Sequence, residues 1–303
     1  MSHISVLLHE TIDALLAERN TGIYVDATFG RGGHSRLLLS RLDADAKLYA
    51  FDKDPQALAV AAELAQQDPR FHIIHASFAD LKTALAVENI HAVDGIMADL
   101  GVSSPQLDQA ERGFSFMHDG PLDMRMDYSQ GLTAAQWLQQ VDETHLANVI
   151  YQYGEERYSR RIAKAIKMAG AMQRTAELAE VVKQAHPKWE KHKHPATRTF
   201  QAIRIEINKE LEDIQLFLPQ AVDLLKSQAR LAVISFHSLE DRIIKQFIQK
   251  ESSLAEMQDW GMPQQQQDTR RLKKIARIRA SDTEVQANPR SRSAWLRVAE
   301  RLD

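Results

Sequence analysis

The 303-residue chain contains no cysteine, which removes thiolate nucleophiles and cysteine-held iron–sulfur clusters from its chemistry. It also lacks any stretch near the roughly 20 consecutive apolar residues that a membrane span requires. Its opening, MSHISVLLHETIDALL, has neither the basic region nor the long apolar run of a secretory leader, so a cytoplasmic protein is expected. Neither charge is in large excess: 38 Lys and Arg stand against 41 Asp and Glu, a formal net charge of -3. That balance argues by itself against a nucleic-acid partner. What is present is apolar material, 44% of residues, enough to build the core of one large or two ordinary domains.

Residues 23–35, IYVDATFGRGGHS, followed by residues 48–55, LYAFDKDP, read as strand, glycine turn, helix, second strand and terminal acid. Gly30, Gly32 and Gly33 let the backbone turn sharply and approach a ligand. Asp52, roughly 20 residues on, can grip a ribose diol. The pattern is that of a nucleoside-cofactor site, and NAD enzymes place similar residues at similar spacing. Asp26 leans away from NAD, because a carboxylate before the glycines repels a pyrophosphate and welcomes a cation. S-adenosylmethionine carries a sulfonium and an ammonium. The competing structural reading is that Asp26 and Thr28 cap the turn that follows.

Apolar runs at residues 23–29, 48–51, 71–74 and 93–98 alternate with helical patterns such as residues 56–65, the rhythm of parallel strands with crossover helices. The next comparable strand, residues 229–236, comes about 130 residues later, far beyond an ordinary connection. A domain inserted between the fourth and fifth strands is expected. Within it, residues 155–169 predict a helix with Tyr158, Ile162, Ala165, Ile166 and Ala169 on one face. A second helix is expected from Thr197 or Thr199, carrying Phe200, Ile203, Ile207, Leu211 and Ile214. After the fifth strand, Ser238 with Asp241 predicts a capping box. Residues 274–280 and 293–301 predict an antiparallel ribbon, which suits a methyltransferase better than a dehydrogenase. The glutamine run 264–267 reads as an exposed loop.

Charge is distributed unevenly. Residues 157–204 hold 12 Lys and Arg against Glu177, Glu180 and Glu190. A second basic cluster comprises Arg270, Arg271, Lys273, Lys274, Arg277 and Arg279. Such faces suit a phosphate-binding surface, although solvated helix faces also produce them.

Residues 94–127, DGIMADLGVSSPQLDQAERGFSFMHDGPLDMRMD, resemble the signature of the ribosomal small-subunit methyltransferase H family, bacterial enzymes that methylate the exocyclic N4 of a cytidine in 16S rRNA. Agreement extends to VLLHE, DATFGRGGHS, FDKDP, GEERYSRRIAKAI, HPATRTFQAIRI, ISFHSLEDRIIK and NPRSRSAWLRVAE, in order and over nearly the whole chain. It is weakest over residues 130–152 and 251–267. The resemblance implies an α/β fold, a class I S-adenosylmethionine-dependent methyltransferase with a Rossmann-like, mostly parallel sheet and an inserted helical domain. The expected boundaries are a core over 1–107 and 214–303 and a helical substrate-recognition domain over 108–213. The resemblance further implies cofactor contacts at Gly32, Gly33, His34, Asp52, Phe78, Asp99 and Gln106, to which the glycine-loop reading adds Asp26 and Gly30. The implied partner is 16S rRNA in its decoding region, within a small ribosomal subunit; a homodimer is considered without any residue that decides the oligomeric state, and no membrane partner is expected.

Methyl transfer from a sulfonium to nitrogen is an in-line displacement, so holding the reactants at near-attack distance supplies much of the catalysis. The cytosine amino lone pair is delocalised, and an acceptor for one amino hydrogen would help localise it. Asp99 is the first candidate and Ser103 or Ser104 the next, all at the end of the fourth strand where ligands gather in open parallel sheets. The serines also suit a turn. His237, just past the fifth strand, can reach a base or satisfy a local hydrogen bond. The missing cysteine disfavours methylation at pyrimidine carbon 5 by a covalent adduct. Arg157, Arg160, Arg161, Lys164, Lys193, His194, Thr197, Arg198 and Arg290 are candidate RNA contacts, against pairing of the arginines with Glu155 or Glu156. No metal set is expected. The rival readings are a nicotinamide oxidoreductase and a ribosome-assembly factor that binds RNA and cofactor without turnover.

Overall fold

The computed structural model describes residues 5–188, 194–254 and 268–303. Lys193 and the glutamine run lie outside them. The chain divides into two compact units, one formed by residues Met1–Gly101 with Leu211–Asp303 and the other by Val102–Glu210.

The first unit is built on seven strands: β1 Ile23–Asp26, β2 Lys47–Asp52, β3 Phe71–His75, β4 Val93–Asp99, β5 Leu225–Ser235, β6 Leu272–Arg279 and β7 Trp295–Arg301. They form one sheet in the order β3-β2-β1-β4-β5-β7-β6. The first five strands pair in parallel, and β7 runs antiparallel between β5 and β6. Strand interiors such as Tyr24–Val25 and Ile96–Met97 are buried, because helices cover both faces of the sheet and alternate side chains feed two separate cores. One core gathers Val25, Phe51, Ile96, Val233, Phe217 and Ile244; the other gathers Tyr24, Leu48, Met97, Ile234, Leu38 and Leu64. The apolar run at 23–29 ends as a strand at Asp26, where the chain leaves the sheet for the glycine turn.

The second unit is helical, with helices Ala134–Gln140, Glu143–Gly154, Ser159–Ala169, Thr175–Ala185 and Ala196–Asn208 around a core that includes Leu146, Ile150, Ile162, Ile166, Leu178 and Phe200. Two helix expectations are corrected here. The helix predicted over 155–169 starts at Ser159, because Glu155 takes a left-handed conformation (φ 51°) that closes the preceding helix. The buried Glu156 carboxylate then organises the junction, accepting from Tyr158 N at 2.8 Å and lying 3.4 Å from His186 and 3.6 Å from Arg198. The helix predicted from Thr197 through Ile214 is two helices, since Lys209 (φ 53°) ends Ala196–Asn208 and a new helix, Glu210–Leu224, follows. Asn208 marks that break: its side chain accepts from Met126 N at 2.7 Å and donates to Met124 O at 2.8 Å, fastening the DMRMD segment to the helix end.

A third correction concerns the helix after β5. His237, not Ser238, is its N-cap, and Glu240, not Asp241, completes the capping box. Asp241 is instead held by Arg297 of β7 at 2.6 and 2.9 Å. The expected ribbon is β6 with β7, and the NPRSRS turn forms a short 3-10 helix, Pro289–Ser293.

Candidate active site

The carboxyl ends of β1, β2 and β4 are fastened to one another by buried and half-buried polar side chains. Asp26, 1% exposed at the end of β1, accepts from Thr28 N at 3.1 Å through Oδ1 and from Ser35 Oγ at 2.6 Å through Oδ2. The Thr28 hydroxyl oxygen accepts from Asp99 N at 2.6 Å, tying the β1 turn to the end of β4. Asp52 at the end of β2 accepts from Gly30 N at 2.7 Å and from Asp54 N at 2.9 Å, so the acid of FDKDP holds the glycine loop. Asp26 thus performs the capping role considered for it and still presents a buried negative charge beneath the loop.

Gly30 (φ 57°) and Gly32 (φ 75°) supply the left-handed residues of the turn into helix Gly33–Arg41. A Cβ on Gly32 would lie 2.6 Å from the ring of Phe29, which is buried and packed at 5.3 Å on Phe71. Gly32→Ala is therefore expected to cost about 2 to 4 kcal/mol, combining left-handed strain with overpacking; urea unfolding measures it, and an unchanged midpoint would contradict this geometry. A Cβ on Gly30, by contrast, would meet nothing within 4 Å. The loop there borders open space.

His34, on the first turn of that helix, is buried, with Nε2 3.2 Å from Val6 O and Nδ1 3.6 Å from Asp99 Oδ2. The second distance is a close approach and is longer than a hydrogen bond. Asp99 Oδ1 is buried with no hydrogen-bond partner. Burial, then the charges of Asp26 and Glu240, hold the Asp99 carboxyl well above the usual carboxylate range. Burial likewise raises Asp52, and it pushes Asp26 up to about 6 against the opposing hydrogen bonds from Ser35 and Thr28. Three carboxyls are thereby strained toward neutrality along one rim, an arrangement that a cation relieves.

Phe78 opens a 3-10 turn after β3, its ring edge-on to Phe217 at 5.4 Å. Beside it, Asp213 Oδ2 accepts from Ser77 Oγ at 2.9 Å and from Lys53 Nζ at 3.1 Å. Sequence reading missed Asp213, and it saw Thr28 only as a turn residue and not as the tie to Asp99. Lys53 was visible in FDKDP, but Asp213 lies 160 residues away and carries no local signal. His237 caps its helix and sits 3.1 Å from the buried Glu240 carboxylate.

The remaining candidates belong to other places in the chain. Ser103 and Gln106 lie in the helical unit, where Ser103 N donates to Gln106 Oε1 at 2.9 Å in the capping box of helix Ser104–Asp108. Arg160, Arg161 and Lys164 are exposed along Ser159–Ala169. Arg157 stacks 4.5 Å over the Tyr158 ring, His194 packs 4.7 Å from Phe116, and Arg198 faces Glu156. Thr197 follows at the start of Ala196–Asn208, and Arg290 is exposed in Pro289–Ser293 of the first unit. Among the described residues no helix is long and apolar enough to cross a membrane.

A seven-stranded sheet in this order, with β7 antiparallel and a glycine turn leaving β1, is the class I methyltransferase fold. Over 303 residues, covering all of the chain and 99% of the relative, it is 78% identical to an Acinetobacter baumannii protein named ribosomal RNA small subunit methyltransferase H. Proteins of the same name from Acinetobacter baylyi and a Psychrobacter species are 77% identical over 302 residues and 59% identical over 310 residues, covering all of this chain and 100% and 91% of theirs. The chain belongs to the MraW methylase family, whose model matches residues 1–302. The methyl donor of that family is S-adenosylmethionine, and the nicotinamide alternative is set aside. The open space at Gly30, the unpartnered Asp99 oxygen and the strained carboxyls fit a cationic nucleoside.

Proposed function

We propose that the chain methylates the exocyclic N4 of a cytidine in the decoding region of 16S rRNA, within a small ribosomal subunit. The observation that carries this reading is the 78% identity, end to end, with a small-subunit rRNA methyltransferase H. Gly30, Gly32, Gly33 and His34 border the donor, Asp52 binds its ribose, and Phe78 flanks its adenine. Asp26 favours its positive charge. The donor supplies a methyl group on a cationic sulfur.

Asp99 accepts a hydrogen bond from the cytosine amino group through Oδ1 and takes its proton. The role falls to Asp99 rather than Ser103 or His237 because both of those cap helices, whereas Asp99 Oδ1 has no partner. A transcript with uridine at the modified position tests the reacting atom. Loss of transfer supports N4, and undiminished transfer to that nucleotide would point to the ribose.

The exposed cations of Ser159–Ala169 are proposed to contact RNA phosphates. Arg160→Glu with Arg161→Glu is expected to weaken rRNA binding and lower the magnitude of its salt slope by about 2, with donor affinity unchanged by calorimetry. Parallel loss of donor binding would mean that this helix is structural.

A further inference from the structure

We propose that an RNA-backbone track runs along the β6 edge of the methyltransferase unit, formed by Arg279, Arg277 and Lys274 beside Trp295. It rests on the rRNA reading above and adds a contact surface separate from the helical unit.

Register places the track. Asp99 pairs with Ile234 of β5, Ile234 with Leu296 of β7, and Leu296 with Ile278 of β6, while Ser235, Trp295 and Arg279 form the next rung. Arg279 therefore stands at the same end of the sheet as Asp99, three strand spacings away, or about 14 Å. From there the basic residues recede along β6 for about 17 Å, a length over which an RNA strand leaving the site can lie.

The exposed positions of β6 are Lys273, Lys274, Arg277 and Arg279, all basic. Arg277 is opposite Arg297, whose bonds to Asp241 fix which face these side chains share. The Arg277 guanidinium lies 3.5 Å from the centroid of the Trp295 ring, which holds a planar cation ready for phosphate. Of the neighbouring acids, Asp241 is bonded by Arg297 at 2.6 Å and lies 4.0 Å from Arg277, so Arg277 shares that carboxylate, while Glu300 is engaged by Arg230, and Glu251 and Asp223 by Arg271. Among the described residues Lys274 and Arg279 form no ion pair. Charged edges also discourage strand-to-strand aggregation, but that role needs neither an arginine stacked on tryptophan nor alignment with the catalytic rim. Evenly spaced cations beside an aromatic ring favour a polyanion with bases over an acidic protein.

The test compares wild type, Lys274→Glu with Arg279→Glu, and a charge-matched control, Arg36→Glu with Lys47→Glu. The probe is an unmodified small-subunit rRNA transcript in a salt titration. The track predicts about tenfold weaker binding by the first variant and a salt slope lower in magnitude by about 2, with unchanged donor affinity, oligomeric state and control. The neutral variant, Lys274→Gln with Arg279→Gln, should show the same direction with a native circular dichroism spectrum. Unchanged RNA affinity, or an equal loss in the control, overturns the track. A wild type that binds and methylates neither the transcript nor small ribosomal subunits lacking the modification overturns both the track and the RNA reading.

Discussion

Asp99→Asn is expected to slow single-turnover methyl transfer about a hundredfold or more while raising the thermal midpoint of the free protein. The loss follows from the proposed role: an amide oxygen is a far weaker acceptor for a developing proton than a carboxylate, and such groups typically contribute 10²–10⁴-fold. The gain in stability follows from electrostatics. The folded Asp99 carboxyl titrates well above its ordinary value, so the native state bears a cost at every pH above the ordinary carboxylate range, fully present once the folded group has ionised. Asparagine removes that charge without changing size. A cation bound alongside favours the ionised form, so wild-type transfer should rise with pH as Asp99 loses its proton. Normal turnover by the variant would refute the acceptor role, and a lowered midpoint would refute the electrostatic one.

The second large effect concerns Asp26 and pH. Burial raises its carboxyl from 3.8 to about 6 in the folded chain. The native state therefore binds more protons than the unfolded state between these values, and wild-type stability rises as pH falls through that window. The difference is on the order of 3 kcal/mol. Asp26→Asn keeps an acceptor for Thr28 and a partner for Ser35 yet cannot titrate, so the wild-type-minus-variant difference in unfolding free energy should shift across pH 4 to 8 in that direction. Wild-type affinity for S-adenosylmethionine should fall as pH drops through about 6. Affinity for S-adenosylhomocysteine, whose sulfur is neutral, should change less. Equal pH dependence for both ligands would mean that Asp26 serves the loop and not the donor's charge.

The sheet was legible because parallel strands buried on both faces are written as short apolar runs, and the glycine turn because Gly30 and Gly32 adopt conformations that other residues resist. Asp52 and Asp99 stand at the ends of β2 and β4, where their sequence pattern placed them. Helix boundaries in the second unit were less legible, because Glu155 and Lys209 enter the left-handed region without being glycine or asparagine. Nothing in their own side chains announces the break. The capping box after β5 was misplaced by one residue, since histidine is an uncommon N-cap and Ser238 offered the commoner pattern. Long-range polar pairs such as Lys53 with Asp213, or Asn208 with the backbone of Met124, depend on topology and carry no periodic signature.

The central claim is that this rim delivers a methyl group to a cytidine amino nitrogen in small-subunit rRNA. The most direct measurement incubates purified protein and methyl-labelled S-adenosylmethionine with small ribosomal subunits lacking the modification, followed by complete digestion and identification of the labelled nucleoside. The account predicts label in N4-methylcytidine, lost with Asp99→Asn under single-turnover conditions. Label in another nucleoside, or no transfer by a protein that binds the donor, would contradict it.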